Sequence, residues 1–349
     1  MIDWLSMVIP LRHAEPISGG QVLSVSSDGV VQWCSSKRST VAGSFSTGLQ
    51  LRTATHTPER CTHLEISGNP VKFFQGHNLW GTDDLPSLAV ATAEHVAQAL
   101  ALTPTDEDRA AWLAGDIRLT RVDLTDSFHL ANLGEVLAWL RAAEQTAHLS
   151  HRGRGQLTKG STLYFGKNSR RWSLKLYAKG QEIRAKGHGQ ESILNLPSAV
   201  EWAERTLRAE LTLRGMELDR LGLRTVTAWL PHDGVPFDPL SILRDRLGDL
   251  TMTTARTLPD EVIQSLTAAQ HNGYLAWLAG NDLRDSMSRP AFYRLRAKLL
   301  PHGIDIATLQ PKDAASNVVP LHRVLEAVPV SVPDWATGTP LYFEPRRVA

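Results

Sequence analysis

Three stretches of alternating sequence hold the residues best suited to chemistry. In RRWSLKLYAK, residues 170–179, a period of two puts Trp172, Leu174 and Leu176 on one face and Arg171, Ser173, Lys175, Tyr177 and Lys179 on the other. In TLRAELTLR, residues 206–214, Leu207, Ala209, Leu211 and Leu213 oppose Arg208, Glu210, Thr212 and Arg214. In LTRVDLT, residues 119–125, Arg121, Asp123 and Thr125 alternate with Val122 and Leu124, and THLEIS sets His63 and Glu65 against Leu64 and Ile66. If these strands share a sheet packed on helices, its polar face gathers a tyrosine, three carboxylates and several cations. One reading is a solvated outer face with cross-strand ion pairs, as antiparallel sheets often have. The other is a reaction site.

Such a face has the parts for phosphodiester cleavage, which needs a nucleophile, charge neutralisation on the phosphate and help for the leaving oxygen. A tyrosine hydroxyl titrates near 10 in solution, so attack at neutral pH requires a nearby cation, metal or base. Tyr177 has Lys175 and Lys179 two residues to either side. Glu65, Asp123 and Glu210 offer the hard oxygen ligands that suit Mg2+ or Mn2+. Attack by tyrosine leaves a phosphotyrosine and a free 3′-hydroxyl, and the retained bond energy allows rejoining.

Charge distribution favours the second reading. The chain of 349 residues carries a net charge of only +1, yet residues 151–186 hold ten Lys or Arg against one acid, Glu182. Tyr164, Phe165, Trp172 and Tyr177 are interleaved with them, a pattern that suits cations on phosphates and rings on bases. Composition is ordinary for a globular chain, with 42% apolar and 21% charged residues. Two cysteines, Cys34 and Cys61, without CxxC spacing, exclude a disulfide scaffold or thiolate zinc site and fit a reducing compartment. The opening MIDWLSMVIPL lacks a basic leader, and no apolar run reaches membrane-spanning length. A soluble, cytoplasmic protein is the expectation.

The elements that must position these residues can be read from pattern. Short strands are expected at MVIPL, QVLSVSS, GVVQW and THLEIS, and a helical stretch over 86–114. Asn132 followed by Glu135 is the start of a helix, with Val136, Leu137 and Leu140 at helical spacing. HRGRGQLTKG, residues 151–160, reads as a mobile loop before the strands STLYFG and RRWSLKLYAKG. From about residue 255 the pattern turns helical. Ser288 and Pro290 open a helix whose apolar stripe is Phe292, Leu295 and Leu299, beside a stripe of Arg289, Tyr293 and Arg296. This suggests either a helix-turn-helix with a basic third helix or a small bundle with solvated arginines. The boundaries drawn are a catalytic region over 1–250 and a helical DNA-binding or accessory region over 251–349.

The chain resembles the gene II replication proteins of filamentous bacteriophages. The likeness is carried by ISGNPVKFFQGHNLWGTDDL with its Gln75–Thr82 core, LTRVDLT, KLYAKGQEI, LRAELTLR, and the terminal NVVPLHRVL and PDW runs. It implies a nickase that opens double-stranded replicative-form DNA at the phage origin, primes rolling-circle synthesis and circularises the displaced single strand. Implied partners are that DNA, the host helicase and the host polymerase, in the bacterial cytoplasm. The implied fold is α+β, a large, mostly antiparallel sheet with flanking helices and a helical C-terminal region. Tyr177 is the implied nucleophile and Tyr164 a candidate second one. The cations expected on DNA are Arg121, Lys167, Arg170, Arg171, Lys175, Arg208, Arg214, Arg289 and Arg296.

His77 is open to two roles, phosphate or metal contact or a turn histidine bonded to backbone. No His-hydrophobic-His triplet occurs, which argues against relaxases that build a metal site from that pair. A non-catalytic DNA-binding regulator is the main alternative, but it has no need for carboxylates in a phosphate groove. A tyrosine recombinase, which would need an Arg…His-x-x-Arg set with its tyrosine near the end, is the weakest reading, although Tyr342 is late.

Overall fold

The computed structural model describes residues 1–43, 45, 47–57, 60–185, 190–252, 260–278, 281–302, 304–307 and 329–347. Its strands are β1 (Ile2–His13), β2 (Gln21–Val25), β3 (Val31–Ser36), β4 (Ser39–Ala42), β5 (Gly48–Thr57), β6 (Arg60–Gly68) and β7 (Arg118–His129). After them come β8 (Ala147–Leu149), β9 (Gly153–Arg154), β10 (Gln156–Thr158), β11 (Thr162–Phe165), β12 (Trp172–Ala178), β13 (Thr206–Arg214) and β14 (Leu250–Met252). Nine of them form one antiparallel sheet in the order β10-β11-β12-β13-β7-β1-β6-β5-β4. The large antiparallel sheet with flanking helices is thus as expected.

One face of the sheet is greasy for the reason the alternation gives. Val122, Leu124, Leu174, Leu176, Leu211 and Leu213 are all fully buried. They lie in one apolar core with Val136, Trp139 and Leu140 of the helix Leu133–Thr146, which packs across β10 to β13. That helix starts where read: the Asn132 side chain accepts from the Glu135 amide at 3.0 Å, and Glu135 accepts from the Ala131 amide at 3.2 Å. Truncating Trp139 in such a core would cost about 3–5 kcal/mol. The stretch over 86–114 resolves into two helices, Leu85–Ala99 and Asp106–Leu113. HRGRGQLTKG is not a bare loop, because it contributes β9 and β10, the latter completing the sheet edge.

A short helix, Pro70–Gln75, sets up the cover of the opposite face. Asn69 caps it by accepting from the Lys72 amide at 2.8 Å, and Gly76 ends it with φ of 85°, in the left-handed region. That reversal sends residues 77–82 back over the sheet.

Helices Asp260–Gln264, Ala268–Leu278 and Arg289–Leu299 follow β14. Tyr274, Trp277, Phe292, Leu295 and Leu299 make a second apolar core there, so the predicted stripe of the last helix is buried. Ser288 has the extended backbone of a cap but makes no capping bond with its side chain. Residues 329–345 then return to the first body: the Val330 amide donates to the Ser127 carbonyl at 2.8 Å, and Phe343 stacks on Phe74 at 4.1 Å between centroids. This returning strap sits against the sheet body. The NVVPLHRVL run lies outside the described residues. Among the described residues no helix is long and apolar enough to cross a membrane.

Candidate active site

Strand register brings the predicted polar face together. Tyr177 stands opposite Arg208, Lys175 opposite Glu210 on one side and Tyr164 on the other, and Thr212 opposite Asp123. A cavity of about 820 Å³ opens over this face, lined among others by Asp3, Asp123, Tyr164, Lys175, Tyr177 and Glu210. The face is not a solvated outer surface: Asp123 is 1% exposed, Tyr177 4% and Glu210 7%. The cross-strand ion pair of the bland reading is nonetheless present, with Lys175 Nζ 2.7 Å from Glu210 Oε2.

The electrostatics follow from burial. Desolvation and the charge of Glu210 hold the Tyr177 phenol well above its ordinary value. Lys175 Nζ lies 4.4 Å from the Tyr177 ring centroid, so a cation is at hand. Arg121 forks onto Asp123, Nε at 2.8 Å and Nη2 at 2.5 Å. Burial together with Glu210 outweighs that fork, and the Asp123 carboxyl is pushed up to about 6.

Asp3 is a residue that alternation missed. The register of β1 against β7 shifts between Ile2 and Trp4, a bulge that turns Asp3 into the cavity beside Trp4. Its Oδ1 accepts from Asn69 Nδ2 at 2.9 Å and Asn78 Nδ2 at 2.8 Å, while Oδ2 makes no hydrogen bond among the described residues. The available signal was an acid inside the otherwise apolar run MIDWLSMVIPL.

Several assignments change. Glu65 points to the same side of the sheet but pairs with Val8, across β1 and well along it from Trp4, which pairs with Asp123. It is held by Arg38 and by Arg52 at 2.6 Å, so it is not with Asp123 and Glu210. Arg208 is fully buried; it donates to the Asn78 carbonyl at 3.1 Å and to the Leu79 carbonyl, so it clamps the covering loop and cannot reach DNA. Lys179 is also fully buried, its Nζ 2.7 Å from Asn78 Oδ1 and 2.6 Å from Glu182 Oε2, with burial lowering its pKa. It is a positioning tie near the Tyr177 ring, because β12 ends at Ala178 and a helical turn draws Lys179 inward.

His77 takes the backbone role. Its Nε2 donates to the Leu341 carbonyl at 2.9 Å, its Nδ1 accepts from the Leu79 amide at 3.3 Å, and desolvation lowers its pKa to about 4. Arg296 is a bidentate partner of Asp305, at 2.7 and 2.8 Å, and is no free phosphate contact. Arg171 is paired with Glu217 at 3.0 Å, although its side chain is still 46% exposed. Arg214 donates to Ser173 Oγ at 3.3 Å. Lys167 and Arg170 are exposed, and Lys167 Nζ lies 4.9 Å from the Tyr164 ring centroid. Arg289 is exposed on the last helix, 5.9 Å from the Tyr293 ring.

For a divalent cation the donor chemistry fits. Magnesium is commonly held by one or two carboxylates, with substrate phosphate oxygens and waters completing the shell. Asp3, Asp123 and Glu210 all line the cavity and offer it carboxylate oxygens. Among the described residues no three His, Cys, Asp or Glu side chains close into a cage by themselves.

Comparison with known proteins agrees with the resemblance. Residues 1–232 match the N-terminal family of the replication-associated gene II protein, and residues 258–344 match its C-terminal family. The replication-associated gene II protein of Enterobacteria phage I2-2 is 39% identical over 352 residues, covering 100% of this chain and 99% of that protein. Among solved structures, a rolling circle replication initiator protein from Geobacillus stearothermophilus superimposes with a TM-score of 0.32 and 12% identity, over 74% of this chain and 88% of that one. So loose a superposition carries no argument.

Proposed function

The chain belongs to the family of replication-associated gene II proteins, and we propose that it serves phage rolling-circle replication by nicking origin DNA with Tyr177 and rejoining it. The observation that carries this reading is the convergence of Tyr177, Lys175, Asp123 and Glu210, from three separate strands, on one cavity. Tyr177 Oη attacks the phosphorus, the bond to the 3′-oxygen breaks, and the strand remains joined to the protein through its 5′-phosphate. Lys175, over the Tyr177 ring, stabilises negative charge as it forms on the phenol oxygen. Arg121, whose side chain is 38% exposed, can orient the phosphate while staying next to Asp123. Asp123 and Glu210, with Asp3, would hold Mg2+ or Mn2+. A cation bound there neutralises phosphate oxygens and helps the leaving oxygen.

Burial and the charge of Glu210 disfavour the phenolate, so positive charge at the cavity is needed to stabilise it during attack. Lys167 and Arg170, both exposed, would track the DNA backbone together with Arg214, and the exposed Arg289 would extend that role to the helical region. The freed 3′-hydroxyl suits a host polymerase, with a host helicase opening the duplex, in the bacterial cytoplasm.

The test is to incubate the protein with supercoiled DNA carrying the phage origin and Mg2+, comparing wild type with Tyr177→Phe. Expected are open circles and a denaturant-resistant adduct in wild type, both lost in the variant. Nicking that survives in Tyr177→Phe would reject the nucleophile, and specific binding without nicking by wild type would favour a regulator.

A further inference from the structure

We propose that Tyr164 is a second strand-accepting nucleophile, which makes this cavity a two-tyrosine centre that holds two DNA ends at once. The inference rests on the nicking role of Tyr177.

The geometry comes from the pairing of β11 with β12. Tyr164 stands opposite Lys175 and Thr162 opposite Tyr177, so the two tyrosines are diagonal neighbours on one face. Such neighbours are about 7–8 Å apart, close enough for two strands to be held side by side. Of the five tyrosines in the chain, Tyr164 and Tyr177 line this cavity, whereas Tyr274 belongs to the helical core and Tyr293 lies exposed on the last helix. Tyr164 is not needed for packing. Its neighbours Leu163 and Phe165 point the other way and are fully buried in the main core, while its own ring is half-buried at the cavity.

Cations are arranged for both rings. Lys175 Nζ is 4.4 Å from the Tyr177 centroid, and its charge also reaches Tyr164. Lys167 Nζ lies 4.9 Å from the Tyr164 centroid. Lys175, anchored on Glu210, is therefore shared by the two tyrosines, and it can turn to whichever oxygen is developing charge.

Circularisation gives a second nucleophile its use. After the first cut Tyr177 carries the 5′-phosphate and cannot attack again. At the regenerated junction, Tyr164 Oη gives up its proton and bonds to phosphorus, and the bond to the 3′-oxygen breaks to leave a 3′-hydroxyl. That hydroxyl attacks the phosphorus on Tyr177, the bond to Tyr177 Oη breaks, and the phenol recovers a proton. Two phosphorus–oxygen bonds form and two break, and no oxidant, nucleotide or water is consumed.

The test uses the full chain, Mg2+ and a single-stranded oligonucleotide carrying two copies of the cleavage site mapped in the Tyr177 experiment. Wild type should release the intervening segment as a circle. Tyr164→Phe should form the first adduct within about twofold of wild type while its yield of circles falls about a hundredfold, the asymmetry expected when a nucleophile for one step is removed. The first adduct doubles as the check on folding. Circles at the wild-type rate from Tyr164→Phe would overturn the proposal. With a 3′-blocked substrate, peptide mapping of trapped wild type should find DNA on the peptides of both Tyr164 and Tyr177. DNA on Tyr177 alone would also overturn it, and no adduct of any kind would instead remove the nicking reading beneath it.

Discussion

Replacing Asp123 by Asn should stabilise the metal-free protein at neutral pH, although it removes a charge from the centre of the site. Burial and Glu210 push the Asp123 carboxyl from 3.8 to about 6. A carboxyl whose native pKa is raised binds its proton more tightly when folded. Its favourable share of stability is therefore complete below pH 3.8 and lost as the pH rises through about 6. At about 1.4 kcal/mol per pKa unit, the loss amounts to at most about 3 kcal/mol by pH 7.5. Asn mimics the neutral acid at every pH, so the variant avoids it. Urea unfolding in EDTA at pH 5 and pH 7.5 measures the difference. The variant should already lead wild type at pH 5, by about half of its lead at pH 7.5. Adding Mg2+ or Mn2+ at pH 7.5 should recover the wild-type deficit and do less for Asp123→Asn, since a bound ion stabilises the state that holds it. Parallel pH curves, or a variant less stable than wild type at pH 7.5, would refute the argument.

Arg208→Ala leaves the carbonyls of Asn78 and Leu79 without their donor, so it should cost about 2–5 kcal/mol in urea unfolding; unchanged stability with weaker DNA binding would restore a DNA role. His77 titrates at about 4, below its ordinary 6.5, so the stability it contributes is complete above pH 6.5 and lost as the pH falls through 4. Unfolding of His77→Gln should accordingly show a flatter acid limb than wild type, and parallel limbs would contradict a buried neutral ring. Lys167→Ala and Arg170→Ala should each flatten the salt dependence of DNA binding by about 0.7–0.9 in log–log slope. Arg296→Ala should leave that slope alone and destabilise the helical region by about 1–3 kcal/mol, since it removes the bidentate pair with Asp305. Glu65→Gln should retain metal-dependent nicking, and its loss would return Glu65 to the site.

Alternation proved reliable where strands are regular. In β7, β12 and β13 the period of two placed Asp123, Tyr177 and Glu210 on one side, because their mutual register is unbroken over the site. Two things were beyond its reach. Parity gives the face of a residue but not the order of strands, so nothing local to THLEIS says that β1 lies between β6 and β7. Inserting β1 carries Glu65 two strands from Asp123. A bulge also breaks parity without altering composition, which is how Asp3 entered the cavity unannounced. The basic count failed for a different reason: of cations on a polar face, those under a covering loop become structural. Arg208 and Lys179 are buried, while Lys167 and Arg170 stay exposed.

The covering loop explains why the Gln-Gly-His-Asn run is so distinctive without itself doing chemistry. Asn78 engages each of its polar atoms with elements far apart in sequence. Its Nδ2 donates to Asp3 of β1, its Oδ1 accepts from Lys179 just beyond β12, and its carbonyl accepts from Arg208 of β13. Its amide donates to Gln190 Oε1 at 3.4 Å. His77 and Trp80 Nε1 both donate to the Leu341 carbonyl, which fastens the loop to the returning strap. A buried cation or amide left unpaired would cost several kcal/mol, so these bonds fix one position for the loop over the sheet. The walls of the cavity are set by that position. Tyr177 meets the carboxylates because three strands bring them side by side, and the covering loop sets one wall of the cavity in which they meet.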